Sequence, residues 1–274
     1  MVVHVTRRLA SGLALALSLA ACGGGGDDSG EAAQRAADAV QAPTAQAEAA
    51  SESGYTVVAV ENGGTIRGTV RFLGSVPAAR TVQVTEDTDA CGETVQIQTL
   101  EVGSGQGLAN TVVSLTDISQ GVALGASASP RGIDQRGCRF TPHTQLAGIG
   151  QVVEIRNSDP VSHNIHTLAF DNRPINKMQP PALEKLEVTF SAPEKVKVKC
   201  DIHEWMSGWI IVIDHPYHDI TGADGSFVLE NVPPGTYTLE VWHEDLGSTT
   251  RTVTVTAGQS TEASFELGAT SPQS

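Results

Sequence analysis

The sequence predicts an all-β fold, and three observations lead to it. Gly (28) and Pro (13) are frequent among the 274 residues, whereas charged residues make up 18% and aromatic residues 4%. Val and Thr recur in short runs in which apolar and polar side chains alternate, which is the period of a half-buried strand. Turn-forming residues separate these runs, as in Ala223–Gly225 and Val232–Gly235. Short strands with regular turns are typical of β-sandwiches.

The charge balance and the motif content exclude several classes of protein. Lys and Arg number 17 against 31 Asp and Glu, a formal charge of −14, which disfavours a basic nucleic-acid-binding protein. No apolar run has the roughly 20 residues that a membrane-spanning helix needs. The sequence contains no phosphate loop, nucleophile elbow or His-x-His pair. We therefore expect no enzymatic activity and no nucleic-acid partner.

The first residues have the features of a bacterial lipoprotein leader. Two arginines precede the apolar stretch Leu9–Ala21, and the stretch ends in Leu19–Cys22, which resembles a lipobox. We predict that residues 1–21 are a signal peptide and that Cys22 becomes lipidated. The protein would then be periplasmic and anchored by lipid to the bacterial cell envelope. An ordinary secretory leader is the alternative.

Residues 22–54 form a low-complexity stretch of Gly, Ala, Gln, Glu and Asp with no apolar face to bury. We interpret it as a disordered tether with an r.m.s. reach of roughly 30 Å. Export would place the rest of the chain in an oxidising compartment, where disulfides are permitted.

Two adjacent segments give the clearest strand patterns. Lys195–Cys200 alternates strictly and places Val196, Val198 and Cys200 on the inward face. Trp209–Ile213 is apolar without alternation, which predicts a central strand covered on both faces. The seven residues from Cys200 to Met206 form the loop between these strands.

That loop contains a thiolate, an imidazole and a thioether: Cys200, His203 and Met206. Soft sulfur ligands combined with imidazole favour copper, and two His, one Cys and a weak axial Met make up a blue-copper site. The second imidazole would come from His163, in the segment that follows the predicted strand Val153–Asn157.

The spacing Cys-x2-His-x2-Met, together with Asn157 and the run His163-Asn164-Ile165-His166, resembles the cupredoxins. The likeness is to blue copper proteins of the amicyanin and plastocyanin kind, including proteins labelled as methylamine-utilisation proteins. It covers about residues 138–214 and implies a Greek-key β-sandwich, placed at 131–214. Departures from the family pattern include Ile202 and Glu204, which stand where amicyanin-like loops have Pro.

The resemblance implies roles for five residues. Asn164 would tie the two ligand loops together, and the imidazole of the Cys-His-Met loop would be the more exposed ligand and the electron exit. The implied copper ligands are His163, Cys200, His203 and Met206.

Other metals and other functions stay open at this point. Zinc could use His163, His166, Cys200 and His203, although His163 and His166 are three apart in an extended strand and should face opposite ways. The predicted function is single-electron transfer. The alternatives are a copper-storing or copper-sensing envelope lipoprotein and a non-catalytic binding module.

The acidic neighbours of the ligands predict the partner. Asp201 and Glu204 lie beside the ligands in a strongly acidic chain. We expect a basic redox partner, such as a cytochrome c or a dehydrogenase. Trp205 and Trp209 flank the loop as core residues or as a docking patch.

The remaining cysteines and histidines have simpler interpretations. Cys91 and Cys138 are predicted to form a disulfide worth about 4 kcal/mol, with two free buried thiols as the alternative. His143 is expected to be structural or on the surface, and His215 and His218 to face solvent.

The C-terminal segment resembles a second family. Thr221–Phe227 and Asn231–Leu239 match the turns of the carboxypeptidase regulatory-like domain, a small prealbumin-like β-sandwich. We place this domain at 215–268, followed by a tail at 269–274. Modules of this family are usually structural or adhesive.

The opening strands of this second sandwich are absent just before it. A segment with their pattern occurs much earlier, at Gly64–Val70, followed by Asn110–Leu115. We therefore predict that the N-terminal β segment 55–130 is the first half of a split sandwich, into which the copper domain is inserted. The alternative places two domains in a row. Pairing of Ile66–Phe72 with a strand between Phe227 and Leu267 would distinguish the two.

Overall fold

The computed structural model describes residues 54–125 and 132–268. The predicted signal peptide, Cys22, the tether up to residue 53 and the tail 269–274 lie outside the described residues. Among the residues described, no helix is long and apolar enough to cross a membrane.

The fold is nearly all β. The first strands are β1 (Thr56–Val57), β2 (Gly64–Leu73), β3 (Arg80–Gln83), β4 (Thr94–Ile97), β5 (Val112–Leu115) and β6 (Gln120–Gly121). Helix α1 (Thr88–Cys91) lies between β3 and β4, and a 3₁₀ turn spans Ser104–Gln106. The middle strands are β7 (Gly132–Gln135), β8 (Phe140–Thr141), β9 (Thr144–Gly148), β10 (Val153–Asn157), β11 (His163–Leu168), β12 (Asn176–Gln179), β13 (Lys185–Val188), β14 (Glu194–Lys199) and β15 (Ser207–Ile213). The last strands are β16 (His218–Ile220), β17 (Ser226–Val232), β18 (Gly235–His243), β19 (Gly247–Val255), β20 (Ser260–Glu262) and β21 (Phe265–Gly268).

One sandwich combines the first and the last strands. Its sheets have the orders β16-β5-β18-β19 and β17-β2-β20, and β21 continues along β2. Gly68 pairs with Phe227 across an antiparallel ladder, and Val70 pairs with Phe265 in a parallel one. This is the pairing that the nested arrangement requires. We call this sandwich, formed on either side of the inserted segment, the outer sandwich.

The middle strands form the inner sandwich. Its sheets have the orders β12-β11-β14-β15-β9 and β13-β10-β7-β8. Alternation in β14 places Val196 and Val198 in the core with no exposed surface, and Cys200 follows them with 1% exposed. The inward face predicted for this strand is confirmed.

A third apolar cluster joins the two sandwiches. Ile211 and Ile213 point away from the inner core and pack with Val112 of the outer sandwich. The rings of Trp209 and Trp242, one from each sandwich, meet with centroids 4.8 Å apart. Strand β15 is therefore buried on both faces, as its unbroken apolar run predicted.

A short segment between β2 and β5 covers one end of the inner sandwich. Strands β3 and β4 pair as a hairpin around helix α1, and we call residues 80–97 the cap. A disulfide joins Cys91 of the cap to Cys138, with the two Cα atoms 5.4 Å apart. This disulfide confirms the predicted cysteine pairing.

The prediction that His215 faces solvent is wrong. The side chain is buried, and its ring lies 4.3 Å from that of His218 and 5.5 Å from that of Tyr55. Burial lowers the pKa of both histidines, that of His218 to about 3. Tyr55 comes from the first described strand region, more than 150 residues earlier in sequence, so local patterning could not reveal the cover.

Candidate metal centre

The loop between β14 and β15 is closed by its own backbone. Lys199 and Ser207 pair at its base, and Cys200 N–H donates to the carbonyl of Met206 at 3.2 Å. Met206 N–H donates to the carbonyl of His203 at 2.8 Å. His203 N–H lies 3.4 Å from the sulfur of Cys200, which accepts its hydrogen bond. The hairpin thus holds the two sulfur residues at its base and the imidazole at its tip.

A polar loop between β10 and β11 positions the second imidazole. The Asn157 side chain donates to the carbonyls of Val161 and Gln179, both at 2.9 Å, and accepts from the N–H of Asp159. These bonds fix the turn that ends at His163, the first residue of β11. His163 has no exposed surface.

The two loops bring three predicted ligands together. One donor atom from each of His163, Cys200 and His203 lies within 4.8 Å of the others, and all three residues are buried. The Nδ1 atoms of the two imidazoles are 2.9 Å apart. Met206, the fourth predicted ligand, is 1% exposed and closes the same loop.

Carboxylates determine which nitrogen of each ring faces the cluster. Asp159 Oδ2 accepts from Nε2 of His163 at 2.9 Å, and Asp87 Oδ2 lies 3.2 Å from Nε2 of His203. An ionised carboxylate only accepts, so each Nε2 carries the proton and each Nδ1 presents a lone pair. Burial lowers the pKa of His163 in spite of Asp159, which favours the neutral ring.

The expectation that His203 is the exposed ligand is wrong. Its side chain has no exposed surface. The cap covers the ring, with Asp87 on Nε2 and the sulfur of Cys91 3.8 Å from the same atom. The covering residues precede His203 by more than 110 positions, so nothing in the ligand loop could have indicated them.

Asn164 connects the ligand loops, as the resemblance implied. Its side-chain oxygen accepts from the N–H of Asp201 at 2.6 Å, and its amide donates to the carboxylate of Asp201 at 3.0 Å. Lys199 and His166 also bind this carboxylate and hold the pKa of Asp201 below its usual range. Contacts from strands β11 and β14 therefore hold Asp201, the residue after Cys200, in place.

The geometry removes His166 from the alternative zinc set. Its ring is partly exposed and binds Asp201 on the opposite face of β11 from His163. A second cluster of potential ligands, formed by Cys138, Asp159 and His163, includes a sulfur already used in the disulfide. His143 is structural, since its ring contacts the carboxylate of Glu244 in the outer sandwich.

Sequence reasoning missed the two carboxylates that orient the imidazoles. Asp159 precedes His163 by four residues in the same loop, so a search for acidic partners near the ligand could have found it. Asp87 lies in the cap and gives no such signal. Trp205 was expected to be a core residue or part of a docking patch. Its ring centroid lies 5.0 Å from that of His203, and its indole N–H donates to the carbonyl of Cys138 at 3.0 Å.

Comparison with known families identifies the outer sandwich. Residues 210–268 match the family model of the carboxypeptidase regulatory-like domain. The chain thus carries such a domain, and the structure adds β2 and β5 from the N-terminal half to its sheets. No curated protein matches the chain.

Solved structures similar to parts of this chain include copper proteins. A copper-containing nitrite reductase from Thermus scotoductus SA-01 is 26% identical over 35% of this chain and 25% of its own, with a TM-score of 0.29. A purple cupredoxin from Nitrosopumilus maritimus is 21% identical over 30% of this chain and 99% of its own (TM-score 0.27). An oxidised amicyanin mutant is 18% identical over 37% of this chain and 98% of its own (TM-score 0.28). The chain spans a quarter of the length of the nitrite reductase that it matches.

Proposed function

We propose that this protein is a type 1 copper protein that carries single electrons and has no catalytic activity of its own. His163, Cys200 and His203 would hold the metal, and Met206 would be the weak axial ligand. Copper, when bound there, would supply the one-electron couple.

One observation carries the proposal: the Nδ1 atoms of two buried imidazoles lie 2.9 Å apart, beside a buried cysteine sulfur. Each Nε2 is already directed to a carboxylate. Facing lone pairs repel unless a proton or a metal cation lies between them. A donor set of two imidazoles, one thiolate and a thioether suits copper better than the harder metals.

The surrounding contacts support electron transfer over storage. Both ligand loops are anchored by hydrogen bonds from Asn157 and Asn164, and the β14–β15 hairpin closes around the thiolate. Hydrogen bonds of this kind, one step removed from the metal, fix the orientation of the ligands. A site that does not rearrange between the two copper oxidation states exchanges electrons with little reorganisation.

The charge of the ligand loop supports a partner, and the leader supports a location. Asp201 and Glu204 are exposed at the ligand loop, so the proposed partner is a basic redox protein such as a cytochrome c or a dehydrogenase. Lipidation of Cys22 would anchor the protein to the envelope, facing the periplasm. Labelling with palmitate, lost in Cys22→Ala and retained in wild type, tests the anchor.

Metal analysis of the full chain, combined with an absorption spectrum and voltammetry, tests the function. We expect one copper per chain, an intense thiolate-to-copper band and a fast reversible one-electron wave. Tight copper without a reversible wave would instead indicate storage or sensing. A chain that takes up no copper would leave a binding module and refute the proposal.

A further inference from the structure

The buried position of His203 removes the direct route between the ligand and a partner. The ring has no exposed surface, because Asp87 and Cys91 of the cap lie against its Nε2 edge. The Cys91–Cys138 disulfide holds that part of the cap to the inner sandwich. His203 therefore offers a partner no exposed ring surface, and a neighbouring group that does reach the surface can relay the electron.

Trp205 is placed to be that group. Its ring centroid lies 5.0 Å from the His203 centroid, with the planes tilted by 47°. The indole N–H is fixed to the carbonyl of Cys138 at 3.0 Å, so the ring has a single position. Unlike His203, Trp205 is only partly buried.

Trp205 also opens onto a groove between the cap and the ligand loop. The groove has a volume of about 410 Å³, and its lining includes Gln83, Glu86, Ile202, His203, Glu204 and Trp205. Glu86 and Glu204 are exposed at this groove, and Arg80 also lines it. The cap as a whole contains four acidic residues against one arginine. A positively charged surface complements this end of the molecule.

We infer that a basic redox protein docks over this groove and that Trp205 conducts the electron between His203 and the partner. This inference rests on the proposed function. With a cytochrome c as the partner, one electron passes from the reduced site through the two rings to the ferric haem. No bond forms or breaks, and no proton moves.

The route is tested by stopped-flow oxidation of the reduced, copper-loaded chain by a basic ferric cytochrome c. Trp205→Leu removes the ring, Trp205→Phe retains an aromatic ring, and Trp242→Leu is the matched control in the outer sandwich. We expect the second-order rate constant to fall about tenfold in Trp205→Leu, within the range seen among variants of one interface. It should recover largely in Trp205→Phe and stay at the wild-type value in Trp242→Leu. A Trp205→Leu protein with the wild-type band and the wild-type rate would overturn the route.

The docking surface is tested without copper. Metal-free, isotope-labelled protein is titrated with the same cytochrome c, and amide and indole N–H shifts are followed by NMR. We expect shifts at Glu86, Glu204 and the Trp205 indole. Glu86→Lys should bind the cytochrome more weakly than Glu266→Lys, the control that makes the same charge change on β21. Equal binding in the two lysine variants, or shifts confined to other surfaces, would overturn the docking assignment.

The two tests distinguish failure of the proposed function from failure of this inference. A wild-type chain with no thiolate-to-copper band refutes the proposed function, whatever the titration shows. If Trp205→Leu loses the thiolate-to-copper band, the oxidation rates of copper-loaded Glu86→Lys and Glu266→Lys are compared instead. Equal rates overturn the inference, and a slower rate in Glu86→Lys supports it.

Discussion

Removal of the Cys91–Cys138 disulfide should destabilise the protein by an amount that depends on the length of the loop that the bond closes. The bond closes a loop with a sequence separation of 47 residues. For a loop of that length, loss of the constraint on the unfolded chain costs roughly 4 kcal/mol in the chain-entropy model. In Cys91→Ala/Cys138→Ala, the space left at Cys138, which is fully buried, adds to this cost.

Urea denaturation followed by tryptophan fluorescence measures the change. We expect the free energy of unfolding to fall by about 4 kcal/mol, equivalent to roughly 8–16 °C in Tm for a protein of this size. Thr81→Val/Gln96→Leu, which removes the exposed hydrogen bond between Thr81 and Gln96 of the cap, is the control and should change stability by no more than about 1 kcal/mol. A disulfide-free protein within about 1 kcal/mol of wild type would refute the reasoning, since the cap would then be held by its noncovalent contacts alone.

Four further changes probe the site and its surroundings. Cys200→Ser should abolish the thiolate-to-copper band and leave the far-UV circular dichroism unchanged; a blue variant would contradict the ligand set. Met206→Leu should retain copper and raise the reduction potential measured by voltammetry, whereas loss of all copper would show that the thioether is more than a weak ligand. Asp159→Asn removes the carboxylate that orients His163 and should weaken copper binding by about 10–100-fold in a competition titration; unchanged affinity would show that the ring needs no such partner. Burial lowers the pKa of His218 to about 3, so below its ordinary value near 6.5 the unfolded chain takes up a proton that the folded chain does not bind. Metal-free protein should therefore lose stability as the pH falls from about 6.5 towards 3, and His218→Gln should lose less over that range in urea midpoints; identical pH profiles would contradict this.

Several of the features predicted from sequence were encoded locally, whereas the split sandwich and the Cys91–Cys138 pairing join distant segments. The period of two in Lys195–Cys200 predicted the correct inward face, and the unbroken apolar run Trp209–Ile213 predicted a strand covered on both sides. The resemblance to the cupredoxins implied the bridging role of Asn164, and the structure shows those hydrogen bonds.

The features that sequence could not give depend on contacts between distant segments. His203 looks like an exposed loop residue until Asp87 and Cys91 of the cap, more than 110 residues earlier in sequence, are brought against it. His215 is a polar residue at the junction of the two sandwiches, and the distant Tyr55 is one of the residues that bury it. Burial of a loop histidine is decided by which distant segment covers it, and alternation within the loop carries no information on that.

The split outer sandwich constrains the order in which the chain can fold. Thr69 on β2 forms its hydrogen bond with Ser264, 195 residues later, so the ladders from β2 to β17, β20 and β21 form only when nearly the whole chain is present. Pairing across such a separation is slow, because loop closure must precede any gain from the contacts. The inner sandwich contains only short-range connections by comparison, and its strands β9 and β15 both lie within residues 144–213. Once folded, it holds the ends of its own segment close enough for β5 to meet β16, where Val113 pairs with Asp219. We therefore expect the inner sandwich to fold first and to assist the outer one, so that amides of β14 and β15 should become protected from hydrogen exchange before those of β2.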